Sequence, residues 1–456
     1  MFGEILQKFA EKTPIAVMVR GLLECLLNPT KLDSLFETVR QAQYTKEILF
    51  SSIVSLMLHV VCRMRPSVHS AYPYADISAS VGAVYEKLKG IETTTSQALV
   101  RHIASDAATI IHNMKGATPP LLPGYRVKFL DGNCIAATEH RLKVLRNTRA
   151  GALPGKSLVV FNQEEGIVAD VFPCEDGDAQ ERSLLTKVAE TVRPNEVWVA
   201  DRNFCVLGFL FKIHQKGAFF VIRQHGNTPY NALSELQFCG RSETGAVSEQ
   251  WVELTSSTGE KIRIRRIVVE LDTPTRNQDK FLAIFTNFPQ DAADTLTVTK
   301  SYRERWTIET AFQKLEKHLH SELNTLGYPK AALFGFCLAL LAFNMYAVVM
   351  AALRAEHPDC DVNENVSEYY VAQEISVISA GMLVITPEED WSIFAHVDLT
   401  EISNILLYLA AKVDLSKFKK HKRGPKKPPT PKTKFIGKPH VSTAKLIASA
   451  QRASQP

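Results

Sequence analysis

The eight cysteines (Cys25, Cys62, Cys134, Cys174, Cys205, Cys239, Cys337 and Cys360) include no Cys-x-x-Cys pair and no histidine partners at finger spacing. That argues against a cysteine-based zinc module, and thiols scattered in this way fit a reducing compartment. Neither Gly-x-Ser-x-Gly nor Gly-x-x-x-x-Gly-Lys occurs, so the nucleophile-elbow hydrolases and the phosphate-loop enzymes find no support. The N-terminus MFGEILQKFAEKTP interleaves acids and lysines with apolar residues and has no small-residue cleavage site, so no secretory signal is expected. Acids are missing from one long stretch. From Lys417 to the end there are twelve Lys or Arg and no Asp or Glu, which leaves 41 basic against 48 acidic side chains in residues 1–416, a net of −7 beneath the overall +5. A Lys/Pro-rich tail of this kind is expected to be disordered alone. Its charge suits the neutralisation of phosphates, the alternative being a solubilising tail.

What is present fits a globular chain of two or three domains. At 456 residues with 45 % hydrophobic and 22 % charged residues there is material for a substantial core. Residues 1–118 read as helical, with an apolar-rich segment over 48–61 and an amphipathic one over 96–114 that the Thr93-Thr94-Thr95 cluster could cap. Arg20, Arg40, Arg63, Arg65, Arg101 and His102 are scattered through it, either to meet DNA or simply to solvate the surface. Pro119-Pro120 and Pro123-Gly124 then mark a boundary near 118.

From Tyr125 the pattern alternates. Short β-rich runs at 127–131, 157–161 and 167–172 precede a helical stretch at 178–191, a buried strand at 197–200, a helix at 206–215 and a strand at 218–223. That order predicts an α/β fold with one mixed sheet covered by helices. Residues 225–294 lose the helical period and read as a β-rich insertion with runs at 251–254, 261–271 and 281–288. Within it Arg263 and Arg265 share one strand face, either a basic face for DNA or surface charge, with Arg266 beside them. The stretch 331–353, AALFGFCLALLAFNMYAVVMAAL, is 23 residues without a charge. Its length would span a bilayer, but it directly follows a highly charged segment and is read as a buried core helix, with no membrane as partner.

The chemistry concentrates at Tyr302 to His320, YRERWTIETAFQKLEKHLH, where the absence of Gly and Pro from Val298 to Gly327 predicts one long helix. Tyr302, Arg305 and Glu309 then share a face, three and four residues apart. A phenol, a guanidinium and a carboxylate suit a phosphodiester, because Arg grips phosphate oxygens in a fork and a carboxylate holds a divalent cation beside it. The plain alternative is a solvated face with an Arg/Glu pair. Two upstream acids share this ambiguity: Asp131 in FLDGN either starts an Asp-Gly turn or binds a cation, and Asp201 in VADRNF either caps a helix or does the same. Two acids at the carboxyl ends of hydrophobic strands and a third on a following helix are placed to converge at one sheet edge. Three carboxylates holding two Mg²⁺ or Mn²⁺ ions roughly 4 Å apart would serve an in-line displacement at phosphorus.

FLDGN, VADRNF, the TNFP at 286–289 and above all YRERWTIE with its downstream apolar helix resemble the DDE transposases of bacterial insertion sequences, the insertion-sequence-4 family. The resemblance runs from about residue 45 to residue 450. It implies an RNase H-like mixed-sheet catalytic core at 119–224 and 295–355, interrupted by the β-rich insertion at 225–294. A helical DNA-binding region at 1–118, a helical region at 356–416 and the basic tail at 417–456 flank that core. By the resemblance Asp131, Asp201 and Glu309 are the catalytic metal-binding triad, and Tyr302 and Arg305 contact phosphate near the transposon end. Also implied are cleavage and joining of DNA at terminal inverted repeats and target, action as a homodimer, and a cytoplasmic, nucleoid-associated place in a bacterium. One departure stands out: the family signature ends with Lys seven residues after the Glu, which here is Glu316. Lys317 is the neighbour, turned about 100° around a helix, and either reaches round or leaves that contact to another group. Family members that excise through a hairpin flip a base onto an aromatic, for which Trp306 and Trp251 are candidates. A nuclease of the same fold that does not join strands, and a non-catalytic DNA-binding descendant, remain the alternatives.

Overall fold

The computed structural model describes residues 2–45, 47–135, 142–146, 151–275, 278–323, 326–421 and 440–453. The described residues open with α-helices α1 (Glu4–Lys12), α2 (Pro14–Leu26), α3 (Pro29–Val39), α4 (Phe50–Val61), α5 (Val68–Ala71), α6 (Val81–Gly90) and α7 (Thr93–Asn113). Glu92, rather than the Thr cluster, stands at the N-cap of α7. The sheet strands follow as β1 (Arg126–Ile135), β3 (Gly155–Asn162), β4 (Ile167–Cys174), β5 (Glu196–Ala200) and β6 (Phe219–Arg223), with a short β2 (Gly151–Leu153) before β3. Between them lie α8 (Lys143–Arg146), α9 (Leu185–Thr191) and α10 (Leu207–Gln215).

The next strands are β7 (Asn231–Ala232), β8 (Gln237–Ser242), β9 (Gly245–Thr255), β10 (Lys261–Leu271) and β11 (Phe281–Thr286). Helices complete the chain: α11 (Thr295–Arg303), α12 (Trp306–His318), α13 (Pro329–Glu356), α14 (Val362–Asn365), α15 (Glu368–Ile385), α16 (Glu388–Ala395) and α17 (Leu399–Ala410), then β12 (His440–Ser442) and α18 (Thr443–Ala453).

Ten strands form one mixed sheet in the order β4-β3-β1-β5-β6-β11-β10-β9-β7, with β8 also on β9. β1, β5 and β6 are parallel and the other pairs antiparallel. Alternation explains the layering: Val197 and Val199 of β5 enter the core shared with the large helical layer, while Trp198 and Ala200 face the core beneath α9 and α10. A parallel strand covered on both faces reads as a continuous apolar run, as this one does.

The uncharged segment lies within α13, in which an apolar 18-residue window is 83 % buried. Among its buried apolar residues sits one amide, Asn344, fully buried. Its Nδ2 donates to the Val168 carbonyl and its Oδ1 accepts the Val168 N–H, both at 2.8 Å. Among the described residues β4 is the edge of the sheet, so these are the outward backbone groups that no described strand pairs. Asn344→Ala orphans both, and chemical denaturation is expected to show a loss of roughly 2–4 kcal/mol.

Three expectations are corrected. The single helix from Val298 is two helices, because Arg305, Thr307 and Ile308 each donate to the carbonyl three residues back, at 3.1, 2.9 and 3.1 Å. These tightened bonds turn the axis without Gly or Pro, so that α11 buries Tyr302 while α12 buries Ile308 and Leu315. Arg265 is no part of a DNA face: it is 1 % exposed, paired with Glu249 at 2.8 Å and donating to the Phe288 and Ala293 carbonyls. Arg263 remains exposed on the same strand. The tail expected to be disordered is structured at 440–453, where β12 pairs in parallel with β2 and Lys445 lies 3.4 Å from Asp176. Residues 422–439 and 454–456, and the side chain of Glu316, lie outside the described residues.

Candidate active site

β1 leads to β3 on one side and β5 to β6 on the other, so the strand order diverges between β1 and β5. Ligands of α/β sheets bind at the carboxyl ends of the strands at such a point. Leu130 pairs with Ala200 and Ala200 with Ile222 as the last rungs. Asp131, Asp201 and Arg223 are the next residue on each of the three strands. Asp131 does not end its strand as the sequence suggested; β1 continues to Ile135 against β3. Asp201 does leave the sheet, capping a 3₁₀ turn over Arg202–Phe204 by accepting the Arg202 N–H.

The α11–α12 junction covers this edge. Arg305, 6 % exposed, reaches Asp131 Oδ2 with Nη1 at 3.4 Å and Glu309 Oε1 with Nη2 at 2.9 Å. One guanidinium thus ties a strand carboxylate to a helix carboxylate 178 residues away in the chain. Its Nε is buried and has no hydrogen-bond partner among the described residues. Burial opposes the Arg305 charge, but Tyr302, Asp131 and Glu309 together outweigh it and hold the guanidinium above its ordinary value. Tyr302, also 6 % exposed, has its phenol pushed up by burial, with Arg305 acting against the shift.

Asp131 is the strained carboxyl of the set. Burial raises it to about 6, aided by the charges of Glu309 and Asp201, while Arg305 and the Gly132 N–H pull the other way. The raised Asp131, with Glu309 and Asp201 nearby, favours a further cation or a proton. Oxygen-only donors suit Mg²⁺ or Mn²⁺. Among the described residues no three acidic, His or Cys groups stand close enough to hold a metal as they are, and Arg305 is bonded to both Asp131 and Glu309. The donors fit such an ion in kind. Were a cation held at Asp131, a proton there would compete with it, and Mn²⁺ affinity would fall about tenfold per unit as pH drops below about 6 and level off above it. Calorimetric titration between pH 5 and 8 reads this, and Asp131→Asn should flatten the profile.

The remaining candidates divide. Trp306 is 59 % exposed beside the acids, its ring 5.4 Å from the Arg305 guanidinium carbon. Trp251 sits on β9 under Arg263, 4.3 Å from that guanidinium, four strands from β5 and hence on the order of 19 Å from Asp201. Lys317 is exposed on α12, about 12 Å along the axis from Glu309. Lys314 is tied to Glu368 at 2.7 Å.

Arg223, held at 2.7 Å by Asp279, was missed, although the strand-end logic that marks Asp131 and Asp201 applies equally to it. Glu181 was missed too: it packs behind Gly132 and accepts from Asn203 Nδ2 at 2.6 Å, and no local pattern signals it. No curated protein matches the chain. A family model described as the transposase DDE domain matches residues 122–345, so the segment from the approach to β1 through the middle of α13, which contains Asp131, Asp201 and Glu309, is similar to transposase DDE domains and supports reading the chain as a DDE transposase.

Proposed function

We propose that this chain is a DNA transposase of the insertion-sequence-4 type, which binds the ends of its element, cuts the strands and joins them to target DNA. The observation that carries the reading is the gathering of Asp131, Asp201 and Glu309 at the carboxyl edge of a mixed sheet, inside a segment similar to transposase DDE domains. The antiparallel β4-β3-β1 ladder joined to parallel β5 and β6 supports an RNase H-like core, and β7 to β11 support an insertion before the helix that bears Glu309.

In the proposed reaction Asp131, Asp201 and Glu309 would hold two Mg²⁺ or Mn²⁺ ions, which would supply an activated hydroxyl and charge neutralisation at phosphorus. Arg305 exchanges its carboxylates for phosphate oxygens. Its unpartnered Nε is one donor ready for that exchange, and the guanidinium fork matches the geometry. Tyr302 packs beside it, and Arg223, one past the last β5–β6 rung, with exposed Arg202 would add positive charge beside Asp201 for the backbone. Lys317 is a more distant phosphate contact, and Trp306, exposed beside Glu309, is the better placed of the two tryptophans to stack on an unpaired base. The helical region at 1–118 and the basic residues after Lys417 extend the DNA contact, two copies bring two ends together, and the work takes place on the bacterial nucleoid.

The test is a strand cleavage and joining reaction on linear DNA ending in the element's own terminal repeat, with target plasmid and Mg²⁺ or Mn²⁺. Joined products support the transposase. Cutting without joining supports a nuclease of the same fold, and DNA binding with neither supports a non-catalytic descendant.

A further inference from the structure

The site has a back as well as a front. Asp131 and Gly132 are consecutive in β1, so their substituents point to opposite faces. Phe129, two before Asp131, lies in the core shared with α12, whereas Leu130, two before Gly132, lies in the core beneath α9 and α10. On that rear face the carboxylate of Glu181 fills the space a side chain at 132 would need: a Cβ at this position would collide with Oε1 and stand 3.1 Å from Oε2. The same carboxylate accepts from Asn203 Nδ2 at 2.6 Å, two residues after Asp201. The next residue, Arg182, donates from Nε to the Asn203 carbonyl at 2.8 Å and to its Oδ1 at 3.2 Å. Glu181 and Arg182 therefore hold the turn after Asp201, while Glu181 also backs the backbone after Asp131.

We propose that Glu181 is a positioning residue: it clamps the segments bearing Asp131 and Asp201 from behind the sheet and sets the spacing of the two carboxylates, and Gly132 is glycine to admit it. The proposal rests on the two-carboxylate site described above. β1 and β5 share no rung beyond Leu130 and Ala200, so past that point the ladder no longer fixes the distance between the strands. A clamp is needed where the ladder stops. Outer residues that orient metal-binding carboxylates typically matter by 10- to 100-fold in rate or metal affinity, about the scale expected here.

The experiment compares Glu181→Ala, Glu181→Gln, Gly132→Ala and the double variant Gly132→Ala/Glu181→Ala. Single-turnover cleavage at saturating DNA, Mn²⁺ affinity and thermal unfolding are the readouts. Glu181→Ala should lose about 10- to 100-fold in cleavage rate and in Mn²⁺ affinity with its DNA affinity unchanged. Glu181→Gln keeps the acceptor for Asn203 and should restore most of both. Gly132→Ala, which pushes the carboxylate out, should behave like Glu181→Ala, and the double variant should be no worse than either single one. Additive losses, a harmless Gly132→Ala, or a Gln variant as damaged as the Ala variant would each overturn the clamp. A wild-type protein that neither cuts nor joins would instead count against the transposase reading; the clamp would still stand or fall on whether the two substitutions are non-additive in unfolding.

Discussion

A Glu309→Gln protein should cut and join DNA at least about a thousandfold more slowly than the wild type while binding the same DNA within about twofold at fixed salt. Glutamine keeps an oxygen that accepts from Arg305 Nη2, now at 2.9 Å from Oε1, so the α11–α12 junction is retained. What it removes is the negative charge by which Glu309 would hold a cation beside Asp131. Asp201→Asn should act alike, because Asn still caps the turn over Arg202–Phe204. Gel assays of cleavage and joining, run beside a binding titration, separate the two effects. A Glu309→Gln protein as active as the wild type would remove Glu309 from the site, and a variant that also lost DNA binding would make its role structural.

The largest effect on stability is expected at Glu249. Arg265 and Glu249, on neighbouring strands β10 and β9, are 1 % and 7 % exposed at their side chains, and Thr295 adds a hydroxyl to the Glu249 carboxylate from the start of α11. Glu249→Ala leaves a guanidinium in the core with two carbonyls for company, a loss of about 3–5 kcal/mol. Replacing both partners, as in Glu249→Leu/Arg265→Met, should recover most of that, since the penalty is an unpaired charge rather than a missing attraction. Denaturant unfolding reads both proteins. A Glu249→Ala protein of wild-type stability would mean that water reaches Arg265. The pair also anchors α11 to the sheet and so fixes where Tyr302 and Arg305 begin.

How much of this was legible in the sequence depends on how local each cause is. β5 could be recognised because a short run of Val and Trp ending in Asp201 admits little but a buried strand. Asp131 stood out for the same reason, although its strand continues past it, because pairing with β3 is set by a partner some thirty residues away that period alone cannot count. The Arg305/Glu309 spacing was visible at four residues and survives the helix break, since both residues lie at the start of α12. The break itself was not visible. It involves no Gly or Pro, only tightened hydrogen bonds that let Arg305 turn inward. Arg265 misled for a different reason: alternation says which residues share a face, not whether that face is covered, and α11 covers it. The docking of 440–453 was hidden by composition, because a basic, proline-rich neighbourhood masks a three-residue parallel pairing with β2. Glu181 left no sign at all, being defined only by what it touches.

The measurement that bears most directly on the central claim, that three acids distant in sequence share one divalent-cation site, is iron-directed cleavage of the polypeptide. Fe²⁺ replaces Mg²⁺, and ascorbate with peroxide generates hydroxyl radicals that cut the backbone near the bound ion. Three cuts are expected, around Asp131, around Asp201 and around Glu309, competed away by Mg²⁺ and lost together in the Asp201→Asn protein. Cuts that avoid one of the three positions, or none that Mg²⁺ competes away, would contradict a shared site.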